Sequence, residues 1–274
     1  MGKFDGILFC TDLDGTLLNK NKTVSKENLE AIEYFKAGGG KFTFITGRMY
    51  FYSRETYEMI KPNAPVGCGN GSGVYDFSLE KYLWTTELDL DLVKIFMRYV
   101  DEKMPQIGMN VNTPHETLFC KDNEAMVRFR KVTGNPYKMC NYKDLDMPVA
   151  KVIFADMDGE NINQLKQVIA AHPMADKVDF IGSERTLYEM VPKNINKGTL
   201  VLKLAEILGI DKNKTIAIGD FDNDVPMLKA AKLGIAVSNA SENAKKVADI
   251  ITVSNEEHAI AKVIYDIENG SIVI

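Results

Sequence analysis

The chain has 274 residues, 45% of them hydrophobic and 26% charged, with a formal net charge of −5. That describes an ordinary soluble globular protein, long enough for one large domain or two smaller ones. The acidic balance and the lack of any large Lys/Arg cluster give no support to a nucleic-acid partner, and no apolar run approaches the length of a membrane span.

The first predicted element is a buried strand over Ile7–Cys10, which ends abruptly in Asp12-Leu13-Asp14-Gly15-Thr16. Ser25 reads as the N-cap of a helix carrying Leu29, Ile32 and Phe35 on one face, and Gly38-Gly39-Gly40 stops it. A second strand covers Lys41–Thr46 and runs into Gly47-Arg48, and a third short one lies near Pro65–Cys68. The glycines of 67–73 do not have the G-x-G-x-x-G spacing and read as a turn leading out of this region.

From Leu88 the rhythm changes. Helices are predicted over Leu88–Val100, Asn123–Val132 and Asn161–Ala171. Strands are predicted over Ile107–Asn112, Thr117–Cys120, Ala150–Ala155, Val178–Ile181 and Leu187–Val191. Alternation then resumes, with a helix over Lys197–Leu208 and a strand over Thr215–Ile218. A helix over Asn223–Ala231, a strand over Gly234–Val237 and a helix over Ser241–Val247 follow. A short strand near Ile250 and a helix over Glu256–Ile267 complete the set. The expected fold is α/β: a doubly wound, mostly parallel, Rossmann-like sheet from residues 1–84 and 193–274, with an inserted α+β cap at 85–192.

Cys10, Cys68, Cys120 and Cys140 show no C-x-x-C spacing and read as free thiols of a reducing compartment. The three histidines are far apart in sequence, so a zinc site has little support. With no signal-peptide core at the N-terminus, a cytoplasmic location is expected. Oligomeric state is not legible.

Four short sites fall at strand ends or helix starts. They are Asp12–Thr16, Thr46-Gly47-Arg48, Lys197-Gly198, and the run Gly219-Asp220-Phe221-Asp222-Asn223-Asp224. Each alone has a structural account: a turn, an N-cap, a solvated lysine, an acidic loop. Together they place carboxylates and a lysine where open α/β sheets bind ligands, at the carboxyl ends of strands.

With these motifs in this order, the whole chain resembles the haloacid dehalogenase-like superfamily of phosphotransferases, and within it the Cof-type sugar-phosphatase group. In that group a large cap is inserted between the second and third motifs. Here positions 13–45 leave 33 residues between Asp12 and Thr46, too few for such a cap, whereas positions 47–196 leave 150 before Lys197. Asn70-Gly71 and Gly219-Asp220…Asn223-Asp224-x-Pro226-Met227-Leu228 also match the group.

The resemblance implies a Mg²⁺-dependent phosphatase of small phosphorylated metabolites, sugar phosphates above all. It implies Asp12 as the nucleophile that becomes an aspartyl-phosphate, and Asp14 as general acid and base. Asp12, the Asp14 backbone carbonyl and Asp220 would hold Mg²⁺. Thr46 with Gly47 and Lys197 would bind the phosphoryl oxygens. Asp224 would orient Lys197 and the metal shell, and Asn223 would add a polar contact to metal-bound water or phosphate, while Asp222 has no assigned role. Specificity would come from a cap that closes over the site, with crossings near Tyr82–Thr86 and Val191–Asn194. His115, Glu116, Arg128 and Lys151 are cap candidates only by being polar, and each reads more readily as an ordinary surface residue. Two other readings stand beside this one: a phosphomutase of the phosphomannomutase type, and a catalytically idle binding or regulatory protein.

Overall fold

The computed structural model describes residues 2–274, and the chain divides into two compact units, residues 1–84 with 196–274 and residues 85–195. The first stretch contains β1 (Leu8–Thr11), α1 (Lys26–Ala37), β2 (Lys41–Phe44), α2 (Arg54–Ile60), β3 (Val66–Cys68), β4 (Gly73–Asp76) and β5 (Lys81–Thr85). The second unit contains α3 (Leu90–Lys103), β6 (Gly108–Asn112), β7 (Thr117–Lys121), α4 (Glu124–Thr133), β8 (Lys151–Ala155), α5 (Gly159–Ala170), β9 (Val178–Glu184) and β10 (Leu187–Pro192). The chain returns through α6 (Lys197–Leu208), β11 (Thr215–Gly219), α7 (Val225–Ala230), β12 (Leu233–Ala236), α8 (Glu242–Val247), β13 (Ile250–Ile251) and α9 (Ala259–Glu268).

In the first unit five parallel strands form one sheet in the order β13-β12-β11-β1-β2. From β1 the chain moves outward to β2, and from β11 it moves the opposite way to β12. Right-handed crossovers therefore put α1 and α7 on opposite faces, which makes the sheet doubly wound. The direction of winding reverses between β1 and β11, and the crevice beyond their carboxyl ends is the binding position of such sheets. All residues of β1 and β11 are buried, as strands covered on both faces require. Phe9 packs against Phe35 and Phe42, and the Asn28 side chain of α1 accepts the Ala261 N–H of α9 at 3.0 Å.

Several elements differ from the sequence expectation. Residues 69–71 form a 3-10 turn between antiparallel β3 and β4, and with β5 these make a three-stranded sheet rather than a connecting turn. Asn70 supplies the positive φ (57°) that this tight reversal needs. Helix α2 was not expected; it is short and anchored by Thr56 and Ile60, one helical turn apart. Residues 222–224 are a 3-10 turn and α7 starts at Val225, where Pro226 is tolerated in the first turn. The last helix starts at Ala259, because His258 takes a left-handed conformation (φ 61°) after a 3-10 turn at 255–257.

The second unit is an antiparallel sheet, β7-β6-β8-β10-β9. Strand alternation splits its apolar residues. Val152 and Phe154 join Phe96, Val100 and Leu165 of α3 and α5, whereas Ile153 and Ala155 join Phe119, Ala125 and Met126 on the other face. Residues 193–195, expected with the first unit, cluster with the second. Lys193 Nζ and Asn194 N both bond the Asp179 carboxylate at 2.7 Å, tying this segment to β9. Lys151 is not a surface residue. It is 3% exposed and donates to Glu189 Oε2 at 2.7 Å, while Ser183 donates to Oε1 at 2.6 Å. His115 and Arg128 are exposed, and Glu116 pairs with Lys138. Among the described residues no helix is long and apolar enough to cross a membrane.

Candidate active site

Asp12 follows the last residue of β1, and its N–H donates to Ile218 O of β11 at 2.9 Å. That bond fixes it at the switch point of the sheet. Leu13, Leu17 and Leu18 anchor the following turn in the core, so Asp12 stays buried as well, at 5% exposure. Gly15 has φ +85°, and a Cβ there would lie 2.4 Å from Asp220 Oδ2. Only glycine lets the two acidic loops approach this closely.

Three carboxylates meet here: oxygens of Asp12, Asp220 and Asp224 all lie within 4.8 Å of one another. Between two of them sits Lys197, buried at the first position of α6 behind its N-cap, Asn196. The ammonium donates to Asp12 Oδ1 at 2.6 Å and to Asp224 Oδ1 at 2.5 Å. The other oxygen of Asp224 accepts the N–H groups of Asp220 and Phe221, each at 2.9 Å. Asp224 therefore both seats the lysine and shapes the loop after β11. Thr16 donates to Asp220 Oδ1 at 2.7 Å.

The charge balance of this cluster is uneven, with one ammonium against three carboxylates. Burial pushes the Asp12 carboxyl well above the usual carboxylate range; Lys197 opposes this, and Asp224 and Asp220 add to it. Burial, then the Asp224 charge, push Asp220 up to about 7, against the Thr16 hydrogen bond. Burial alone would lower Lys197, but Asp12 and Asp224 more than reverse it and hold the ammonium charged. A set of hard oxygen donors with surplus negative charge suits Mg²⁺, and the donors fit that ion.

Asp14 faces elsewhere. Arg48 grips its carboxylate with Nε at 2.9 Å and Nη2 at 2.7 Å, and Lys22 Nζ adds a third donor at 2.7 Å. Burial raises the Asp14 carboxyl, but the Arg48 charge and the hydrogen bonds from Lys22 and Arg48 outweigh it and hold the group below the ordinary value. The sequence assigns no role to Arg48 or Lys22. Arg48 sits in the Thr46-Gly47-Arg48 motif, whereas Lys22 lies in a polar loop with no signal.

Thr46 is buried just past β2, where its Oγ1 accepts the Arg48 N–H at 3.2 Å. Gly47 lies against the Asn70 amide, which a Cβ would meet at 2.9 Å. Asn223 donates to Asn70 Oδ1 at 3.1 Å, so Asn70 joins the Gly47 loop to the loop after β11. Asp222 accepts from Ser241 and Asn243 and holds the start of α8. The structure thus gathers Asp12, Lys197, Asp220 and Asp224 into one cluster, with Asn223 on Asn70 beside it.

A sequence profile of haloacid dehalogenase-like hydrolases matches residues 9–264, a span that takes in every residue of this cluster. The chain belongs to that family, in its Cof-type group. It is 30% identical over 274 residues to the putative phosphatase YxeH of Bacillus subtilis, covering 95% of this chain and 97% of that one. It is 27% identical to the 5-amino-6-(5-phospho-D-ribitylamino)uracil phosphatase YitU of the same organism, covering 93% and 95%. Among solved structures, TM0651 from Thermotoga maritima superposes with a TM-score of 0.80 at 26% identity, over 98% of both chains. The protein is a haloacid dehalogenase-like phosphatase.

Proposed function

We propose that this phosphatase hydrolyses small phosphorylated metabolites, sugar phosphates foremost, with Mg²⁺ and through an aspartyl-phosphate. One observation carries the reading: Asp12 lies within hydrogen-bond reach of a buried Lys197 and beside two further carboxylates at the switch point of the sheet. Mg²⁺, held by Asp12, the Asp14 carbonyl and Asp220 with Asp224 in support, would neutralise charge on the phosphoryl group and on the attacking carboxylate.

Asp12 attacks phosphorus through a carboxylate oxygen while Asp14 gives a proton to the departing alcohol. Asp14, now ionised, takes a proton from water, which attacks the aspartyl-phosphate and restores Asp12 with release of inorganic phosphate. Lys197 and Thr46, with the Gly47 backbone, bind the non-bridging oxygens, and Lys197 also lowers the repulsion between Asp12 and the anionic ester. Asn223 keeps the loop after β11 against Asn70. The second unit, residues 85–195, acts as the cap that selects the leaving group. The ribityl phosphate named for YitU supports including phosphorylated polyols among the substrates tested.

A phosphate-release screen over phosphorylated sugars, polyols and nucleotides, with and without Mg²⁺, tests the reading. Release that requires Mg²⁺ and falls by several orders of magnitude in Asp12→Asn is expected. Isomerisation without net phosphate release would assign the chain to the mutases. Turnover in Asp12→Asn within tenfold of the parent would remove Asp12 as nucleophile.

A further inference from the structure

The second unit holds a pair of sulfurs that the phosphatase chemistry does not use. Cys120 lies on β7, the edge strand of the antiparallel sheet, and Cys140 lies on the segment returning from α4. That segment runs alongside β7 in parallel register, with Phe119 opposite Met139. Two backbone hydrogen bonds hold it there: Phe119 N–H to Lys138 O at 2.8 Å, and Cys140 N–H to Phe119 O at 2.9 Å. One step further along the same register, Cys120 faces Cys140. Their Sγ atoms are 2.6 Å apart, within about 0.6 Å of the covalent S–S length of about 2.05 Å. Both side chains are half-buried, and positions 136–139 beside Cys140 are exposed, so a small reagent has access.

We infer that Cys120 and Cys140 are a modification site, a reversible disulfide that fastens the segment after α4 to the edge of the sheet. The backbone pairing already supplies the alignment, so closing the bond needs only a small side-chain adjustment. The oxidant that fits is a low-molecular-weight disulfide, RSSR. The Cys140 thiolate attacks one sulfur of RSSR, forming Cys140–S–S–R and releasing RS⁻. Cys120 then loses its proton and attacks the Cys140 sulfur, releasing the second RS⁻. Two cysteine thiols are oxidised and one RSSR is reduced to two RSH. The order follows from the local chemistry: the hydrogen bond from Cys120 favours the thiolate of Cys140, while the same contact and burial disfavour that of Cys120. The bond closes a 20-residue separation around α4.

The other two cysteines serve as internal controls. Cys10 and Cys68 are both 0% exposed, and burial raises the Cys10 thiol further. The test is to incubate the full chain with oxidised glutathione, then count thiols in denaturant and map peptides by mass spectrometry. Two of the four thiols should be lost as a Cys120–Cys140 linked peptide and recovered with dithiothreitol. The oxidised protein should melt several degrees higher, a shift absent from Cys120→Ser. Cys120→Ser should instead trap a glutathione adduct on Cys140. Four free thiols after prolonged treatment, or adducts on the unmodified chain without the linked peptide, would overturn the assignment. These readouts need no substrate and are independent of the proposed phosphatase mechanism.

Discussion

Arg48 holds Asp14 by both carboxylate oxygens, at 2.9 Å and 2.7 Å, so the proposed acid–base group rests as an ion. A bidentate guanidinium fixes orientation as well as charge. In this state Asp14 suits the second half of the reaction, where it must accept a proton from water. Protonating the leaving alcohol needs a neutral Asp14, and the Arg48 grip must loosen for that. Asp14→Asn should keep the Asp12–Lys197 cluster intact and lower turnover by about 10²–10⁴-fold on alkyl phosphates. The loss in the phosphorylation half-reaction should be much smaller on p-nitrophenyl phosphate, whose leaving group needs no proton. Burst kinetics on the two ester classes check this, and equal losses on both would remove Asp14 as the acid.

Among the described residues Lys197 is the one cation bonded to both Asp12 and Asp224, and all three side chains are buried. Lys197→Ala leaves two carboxylates close together without their shared donor. Breaking a buried pair from one side commonly costs about 3–5 kcal/mol. Asp12, already pushed up by burial, can escape part of that penalty by taking up a proton, so the variant should be less stable at neutral pH than towards about pH 5. Melting curves across pH test the stability, and kcat/KM should fall by orders of magnitude at neutral pH. A variant with unchanged kcat/KM would place Lys197 outside phosphate binding.

Protons and metal compete for Asp220. Its carboxyl is pushed up to about 7 in the folded protein, against about 3.9 for an unfolded aspartate. Between those values the folded state binds more protons than the unfolded state, so this group's contribution to stability falls as pH rises. Mg²⁺ binds the deprotonated carboxylate and removes the deficit. The rise in Tm with saturating Mg²⁺ should therefore be larger near about pH 8 than near about pH 5, reaching about 5 °C or more. Asp220→Asn should abolish most of it. A Mg²⁺ shift independent of pH, or unchanged in the variant, would mean that Asp220 does not hold the ion.

The acidic cluster was visible in the sequence because its members stand in short motifs at strand ends. An apolar strand that stops at Asp12, and another that stops at Gly219-Asp220, leave few places for such carboxylates except the sheet's carboxyl edge. The partners of Asp14 were not legible. Arg48 is 34 positions away, and whether its side chain turns towards Asp14 depends on how the loop after β2 folds. The small β3-β4-β5 sheet was missed because glycines dominate its first turn and conceal the strand pattern of Val74 and Tyr75. Lys151 reads as solvent-exposed by residue type alone, and only the register of β8 against β10 shows otherwise.

That buried Lys151–Glu189 pair gives a stability prediction for the second unit. The two charges are 2.7 Å apart, each side chain 3% exposed, with Ser183 on the second carboxylate oxygen. Glu189→Gln keeps the shape and the acceptor for Ser183 but removes the charge that balances Lys151. It should destabilise the unit by about 3–5 kcal/mol. Lys151→Met leaves the Glu189 carboxylate buried without its cation and should destabilise the unit as well. The double variant replaces the pair by a neutral amide and an apolar chain, and should be more stable than Glu189→Gln alone. Hydrogen exchange of the β8 and β10 amides reads this unit separately from the parallel sheet. If the two single changes add within about 0.5 kcal/mol in the double variant, the charges are not energetically coupled, and the burial of Lys151 must rest on its other contacts.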